Sequence, residues 1–510
     1  MVSAKDYAHR RLVNALGPER VARGELERMV YSHDFASLPK PALLQWQLYP
    51  DFVVLPQTTE EVSTIVRLSD ETGLPITPRG AGTGAYGGAV PNRGGVLVDM
   101  RKMNKIAALD PTHRTVTVEA GVPWQFLAEY LLARGFALPV VPMAAPASTV
   151  GGGINSGAVG FGSYRHGSLR SHIVDLETVL PDGSVLHTGG PGDPGGRLAD
   201  LKAFFCGAEG TLGIVTKATL RIVTKPEDAR ASAYAFPSPE AGARFLTSVT
   251  DASVVPFHVA FLDRDHFLFE RALRPDTPEP APIALAGLQG PKDEVAEQER
   301  ELDAIATKAG GKKLPADQAG SLWDRRFTMY GARRLSRGLV VSSNLVPAGR
   351  LEEAVETARR LLRKLKLEGA VHAALVDAST ALLAPYVLMD DTRPSGPAAL
   401  GYVKKMGDAA RGLGGHPMGL GLFMVFNLAK MHGRSTEFYG AVKRVFDPKQ
   451  KINAGKTTEV WTRFTWPFID QVPPLFMGLG LDVAAFLRRI KPFPDRYARA
   501  YARTYERRGR

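Results

Sequence analysis

Cysteine is nearly missing from this chain: Cys206 stands alone among 510 residues. One thiol excludes an internal disulfide framework, a four-cysteine zinc site and a cysteine-held iron–sulfur cluster, so cluster chemistry requires a partner chain. Also missing is any uninterrupted apolar run of roughly 18–20 residues, the length a simple bilayer-crossing helix needs. No low-complexity block is present, and 44% hydrophobic with 23% charged residues describes a globular chain long enough for two or three cores. The opening stretch MVSAKDYAHRRLVNALG is charged and helix-like, without the apolar core and small-residue cleavage site of a secretory signal, so a cytoplasmic location is expected.

The net charge of +12 is unevenly spread. From Arg488 to Arg510 nine Lys or Arg face only Asp495 and Glu506, so more than half of the excess sits in the tail. A basic tail on a near-balanced body is not a nucleic-acid-binding surface, and no nucleic-acid partner is expected.

What the chain has in abundance is glycine, gathered in three places. The first, PITPRGAGTGAYGG (75–88), lies between a strand-like run and GGVLVDM; the second, TVGGGINSGAVGFGSYRHG (149–167), precedes a strand and a hairpin turn at Asp182-Gly183; the third, CGAEGTLGIVT (206–216), again runs into a strand. Between them, TTEEVSTIVRLSDETG carries the start and stop signals of a helix ending at Gly73, and PWQFLAEYLLARG reads as another. Such loops bring backbone N–H groups to a phosphate where side chains would intrude. None has the acidic partner of the dinucleotide fingerprint or the Lys-Ser/Thr ending of a Walker loop, which disfavours conventional NAD and ATP sites. From about residue 227 the texture changes to longer helices, such as PAGRLEEAVETARRLLRKLKLEG, alternating with runs such as RGLVVSSNLVP.

In this order YSHD, PQTTEEV, PRGAGTG, TVGG, GAEGTLGIVT, LVPAGRLEE and DPKQKINAGK make the chain resemble the FAD-binding superfamily of vanillyl-alcohol oxidase and p-cresol methylhydroxylase, in the branch of glycolate oxidase and D-lactate dehydrogenase. The resemblance covers residues 31 to 458. It implies an α+β architecture: a two-subdomain FAD-binding domain of the p-cresol methylhydroxylase type over 1–226, an α+β substrate (cap) domain over 227–440, a return segment contacting flavin over 441–460, and an aromatic, basic C-terminal extension over 461–510. By the same matching Arg79, Gly80, Gly82, Thr83 and Gly84 hold the FAD pyrophosphate with Pro78 at the edge. Pro142, Thr149, Gly151, Gly152, Ala158 and Gly167 line the flavin and ribityl chain; Glu209, Gly213 and Ile214 lie near the adenine end; Asn453 closes the isoalloxazine side. No His stands between Arg79 and Gly88, so the expected FAD is non-covalent.

SLWDRRFTMYGARR matches the Trp-x-x-Arg element of that family, which places Trp323 on the substrate wall and makes Arg326 the carboxylate clamp, a guanidinium able to engage both oxygens. Where relatives carry His-x-Gly-Asp-Gly-Asn-x-His and Glu-His-Gly-Ile-Gly metal ligands, this chain has VHAALVDASTALLAPYVLMDD and GGHPMGLG. Only His372 and His416 remain, too little for a tight divalent site, so no metal is expected. His416 takes the place of the base, since an imidazole titrates near neutrality without a metal. The function implied is hydride transfer from a hydroxy acid resembling D-lactate or glycolate to FAD, with electrons passed to a quinone, an electron-transfer flavoprotein or an iron–sulfur partner. Oxidation of a phenolic or alcohol substrate, and a flavin electron-transfer subunit with a decayed substrate site, are the rival readings. In the extension, Tyr497, Tyr501 and Tyr505 share one helical face among arginines, which suits docking on the protein's own core or a partner subunit, or peripheral contact with an anionic membrane.

Overall fold

The computed structural model describes residues 3–37, 46–189, 200–390, 395–419, 421–422, 428 and 433–456. The C-terminal extension read above lies outside the described residues. None of the described helices is long and apolar enough to cross a membrane.

The first half of the chain builds two sheets around shared helices. Strands Phe52–Val54, Val96–Asp99 and Ile76–Arg79 run parallel, with Val21–Ala22 antiparallel at one edge. Helix Thr59–Thr72 begins where Thr58 Oγ1 accepts the Glu61 N–H at 3.2 Å and ends at Gly73, whose φ of +70° favours a residue without a β-carbon. Its apolar stripe of Val62, Ile65 and Val66 packs with Val96, Val98 and Ile76 of this sheet and with Val179 and Ile214 of the next. That second sheet is antiparallel, ordered Val185–His187, Ile173–Val179, Ile214–Arg221, Thr115–Glu119, Ile106–Asp110. Helix Trp124–Leu132 buries Trp124, Leu127 and Leu131 against it. Asp182-Gly183 does form the expected turn, Gly183 taking φ +84° between the paired strands 173–179 and 185–187.

The second half builds a three-stranded sheet, Gly338–Val341, Tyr386–Met389, Gly369–Ala370, and an eight-stranded sheet ordered Lys312–Lys313, Asp228–Ala235, Ile283–Gly290, His258–Leu262, His372–Leu375, Thr380–Leu383, Asn344–Pro347, His416–Pro417. Alternation splits it into two faces. Val259, Phe261, Ala284, Ala286, Ala373 and Leu383 pack under helices Pro239–Thr250, Lys292–Lys308 and Leu351–Leu365 in the largest apolar cluster. The opposite face is set by register: Ala260 opposes both Leu285 and Ala374, Ala374 opposes Leu382, and Leu262 opposes His372. That face looks toward the glycine loops of the first half, which is where the site lies.

Candidate active site

Three loops from the first half converge on one elongated cleft, and small backbone-only positions make the convergence possible. Gly82 has φ +68°, and a β-carbon there would sit 2.3 Å from Arg79 Nη2. The missing side chain is what lets the Arg79 guanidinium fold back, donating to the His33 carbonyl at 2.7 Å and lying over the Tyr31 ring at 5.4 Å. Burial lowers the pKa of this guanidinium, with the carboxylates of Asp34 and Asp99 opposing the shift. A β-carbon on Gly80 would come within 2.3 Å of Thr149 Oγ1, so the first and second loops are in contact. Thr149 in turn caps helix Val150–Asn155, accepting the Gly152 N–H at 3.3 Å. The third loop docks on the second through the Glu209 N–H, which donates to the Asn155 carbonyl at 2.8 Å, with Glu209 itself at φ +54°.

Fourteen of the sixteen positions expected at FAD line this cleft: Pro78, Arg79, Gly80, Gly82, Thr83, Gly84, Pro142, Thr149, Gly151, Gly152, Ala158, Glu209, Gly213 and Ile214. The other two lie elsewhere. Gly167 caps the short helix Ser163–His166 at φ +81°, and turn conformation alone accounts for its glycine. Asn453 stands behind the wall, its Nδ2 donating to the carbonyls of Gly88 at 3.0 Å and Glu209 at 2.6 Å. One amide thus ties the first loop to the third. Lys456, fully buried, reinforces the tie by donating to Gly88 O at 2.9 Å and Asn453 Oδ1 at 2.6 Å, and burial pulls its pKa down to about 7.

The cap side of the cleft was not legible in advance. Tyr86, Tyr330, Ser343, Leu382 and Met418 border it, and Tyr86 Oη accepts the Ser343 N–H at 2.8 Å across the two halves. Tyr86 and Tyr330 stand inside motifs already singled out, GAYGG and TMYGARR, and an aromatic ring with a polar tip within each motif was the available signal.

Trp323, in helix Ala316–Asp324, and Arg326, in the turn that follows it, lie beyond this rim, packed on the cap sheet. Trp323 covers Gly287, where a β-carbon would be 2.1 Å from the indole. Arg326 lines a second, smaller cavity next to the cleft: its guanidinium carbon lies 4.4 Å from the Trp323 ring, 4.4 Å from Phe327 and 5.3 Å from Phe161, and its Nη1 donates to the Trp323 carbonyl at 2.7 Å. Burial lowers its pKa to about 10, which leaves it charged at neutral pH. The two spaces are neighbours by construction. Phe161 faces the small cavity while Pro142, paired with the adjacent Gly160, faces the cleft; Leu382 borders the cleft from the sheet face that carries His372.

His416 lies outside this arrangement. It is exposed on the edge strand, its Nδ1 within 3.1 Å of the Pro417 carbonyl, and its ring borders neither space, although Met418 and Gly419 do reach the cleft. The placement gives no support to a proton-accepting role. Among the described residues, no group of three or more His, Cys, Asp or Glu is arranged to hold a metal ion.

An elongated backbone-lined cleft with the half-buried Arg79 on its wall and the buried Lys456 behind it fits a long, bent, phosphate-containing coenzyme. Comparison with known proteins agrees. Residues 50–189 match the FAD binding domain and residues 225–457 match the C-terminal domain of FAD linked oxidases. The chain is 31% identical over 345 residues to the glycolate oxidase subunit GlcD of Bacillus subtilis, covering 67% of this chain and 71% of that protein. It is 29% identical over 426 residues to the probable mitochondrial D-lactate dehydrogenase of Danio rerio, covering 81% and 85%. Its fold is similar to that of p-cresol methylhydroxylase with a TM-score of 0.75 at 19% identity, over 89% of this chain and 97% of that one. The chain therefore belongs to the FAD-linked oxidase family, and is an FAD-dependent oxidoreductase acting on CH–OH donors.

Proposed function

We propose that this oxidoreductase converts a 2-hydroxy acid to the corresponding 2-oxo acid. The observation that carries the reading is Arg326: a half-buried cation walled by three aromatic rings, its Nε buried and unpartnered, in a cavity beside the FAD cleft. A charged guanidinium with a buried, free N–H favours an anionic ligand group, and a carboxylate matches its planar fork. The names of the two curated relatives point to the same class of acid.

Arg79 and the backbone of residues 80–84 would hold the pyrophosphate, residues 149–152 and 158 the flavin side, and Glu209, Gly213 and Ile214 the adenine side. When bound, FAD would supply the hydride acceptor, the hydride leaving the substrate carbon as the hydroxyl proton passes to water and the C=O bond forms. Arg326 orients the acid by its carboxylate, and Phe161, Trp323 and Phe327 exclude water around that contact. The electrons would then go to a quinone, a partner protein or oxygen, since with Cys206 as its only thiol the chain cannot hold a cysteine-ligated cluster of its own.

Anaerobic mixing of FAD-loaded protein with D-lactate, glycolate and 4-alkylphenols tests the reading by bleaching of the flavin band. Hydroxy acids are expected to bleach it, and Arg326→Met to lower kcat/KM about 100-fold or more, the scale of a lost charged hydrogen-bonding partner. Bleaching by phenols alone favours a phenol oxidase; bleaching by no donor favours an electron-transfer subunit.

A further inference from the structure

Among the described residues, six of the fourteen buried polar side-chain atoms without a protein partner gather at one place. Both ring nitrogens of His258, both of His372, Thr277 Oγ1 and Arg326 Nε all belong to residues lining the small cap cavity. A folded chain rarely leaves such atoms unmatched, and a cluster of them in one enclosed space marks a place built for a ligand. His258 and His372 are each 1% exposed. Burial holds both imidazoles down at about 3, so at neutral pH each is uncharged and offers one N–H and one lone pair. The third histidine of the wall, His266, is already engaged by Tyr386 Oη at 2.9 Å.

Most of the rest of the wall is apolar, chiefly Phe161, Leu262, Phe267, Ile283, Leu285 and Leu322, and Glu270, Arg325 and Thr328 are its remaining polar members. The arrangement is ordered along the sheet. His258 and Arg326 both lie against Phe161, at 4.5 Å between rings and 5.3 Å from guanidinium to ring, which is the end adjoining the FAD cleft. Leu285, then Leu262 and Ile283, follow along the same face, with Phe267 over them from helix Arg264–Leu273. A polar end beside the coenzyme and an apolar trough leading away from it match a molecule with a carboxylate at its head and hydrocarbon behind.

We propose that the substrate is a 2-hydroxy acid with a branched aliphatic or aromatic side chain, its carboxylate held jointly by Arg326 and His258 and its side chain buried against Leu285, Leu262 and Phe267. This rests on the hydroxy-acid reading above and sharpens it. Glycolate, with no side chain, leaves the trough unfilled. His372, further along the face, gives the far end of the side chain one neutral polar contact.

The test uses full-length, FAD-loaded protein and follows anaerobic flavin bleaching with racemic 2-hydroxy-4-methylpentanoate, phenyllactate, lactate and glycolate. Burying an isobutyl group is expected to raise kcat/KM about 250-fold over glycolate, at roughly fourfold per carbon. Leu285→Trp should cut that ratio to about tenfold or less by filling the trough. His258→Leu should raise KM for every acid at least tenfold with a smaller change in kcat, and His258→Gln, which keeps a neutral donor and acceptor, should recover most of it. Glycolate performing as well as the branched acid overturns the inference and leaves the hydroxy-acid reading standing; bleaching by phenols alone overturns both. If no donor bleaches, titration with 4-methyl-2-oxopentanoate decides through the flavin spectrum. A shift weakened by Leu285→Trp supports the cavity, and no shift overturns it.

Discussion

In the FAD cleft the polar groups belong mostly to the main chain and are tied into a network: Asn453 bridges two loop carbonyls, Lys456 backs it, and Arg79 is anchored on His33. In the cap cavity they belong to side chains from separate strands and loops, and most have no protein partner. A paired network stabilises the fold it sits in, whereas an unpaired set costs stability and is kept for what it binds. Mutations should therefore separate the two regions cleanly, one through stability and the other through ligand affinity.

The largest effect is expected at the tie between the halves. Lys443 Nζ, almost wholly buried, donates to Asp447 at 2.5 Å, to the Thr211 carbonyl at 2.6 Å and to the Ile452 carbonyl at 2.9 Å. Lys443→Met strands a buried carboxylate and should cost about 3–5 kcal/mol, read from the urea midpoint. Next comes Gly82→Ala, which forces a β-carbon into a left-handed backbone and against Arg79. It should cost about 1–2 kcal/mol locally and lower FAD retention about tenfold, measured by the ratio of flavin to protein absorbance.

His258→Leu breaks the comparison if it behaves like the first two. Because its polar atoms lack partners, the substitution is expected to leave neutral-pH stability within about 1 kcal/mol of wild type or raise it, while weakening acid binding. It should also change the response to acid. Burial lowers the folded-state pKa of His258 from 6.5 to about 3, so between those values the unfolded chain binds the extra proton and wild-type stability falls as pH falls. His258→Leu should flatten that limb by about 1.4 kcal/mol per pH unit, the weight of one proton. The smallest effect belongs to an exposed pair: Arg350→Ala, which removes the 2.5 Å contact with Glu353, should change stability by less than about 0.5 kcal/mol.

The same contrast explains how much of the site could be read from sequence. A backbone that must approach a ligand writes its requirement into consecutive residues, so the loops at 78–84, 149–152 and 209–214 were legible, as was helix Thr59–Thr72 with its local start and stop signals. A pocket assembled by cross-strand register leaves no such run. His258 stands on a strand that no motif marked, and it shares a sheet face with His372 only because two distant segments pair antiparallel. Asn453 was found by motif but not its task, since its bonds to Gly88 and Glu209 depend on three segments meeting. Gly167 shows the converse error: glycine in a glycine-rich stretch, used for a turn.

The bridge made by Asn453 also orders events in time. Its partners are synthesised early, yet the amide that clasps them belongs to a segment more than two hundred residues downstream of the third loop. A nascent chain that has exposed only its first half therefore owns every glycine of the cradle and lacks the clasp that closes it. Closure of the cradle is expected only after nearly the whole described chain has left the ribosome.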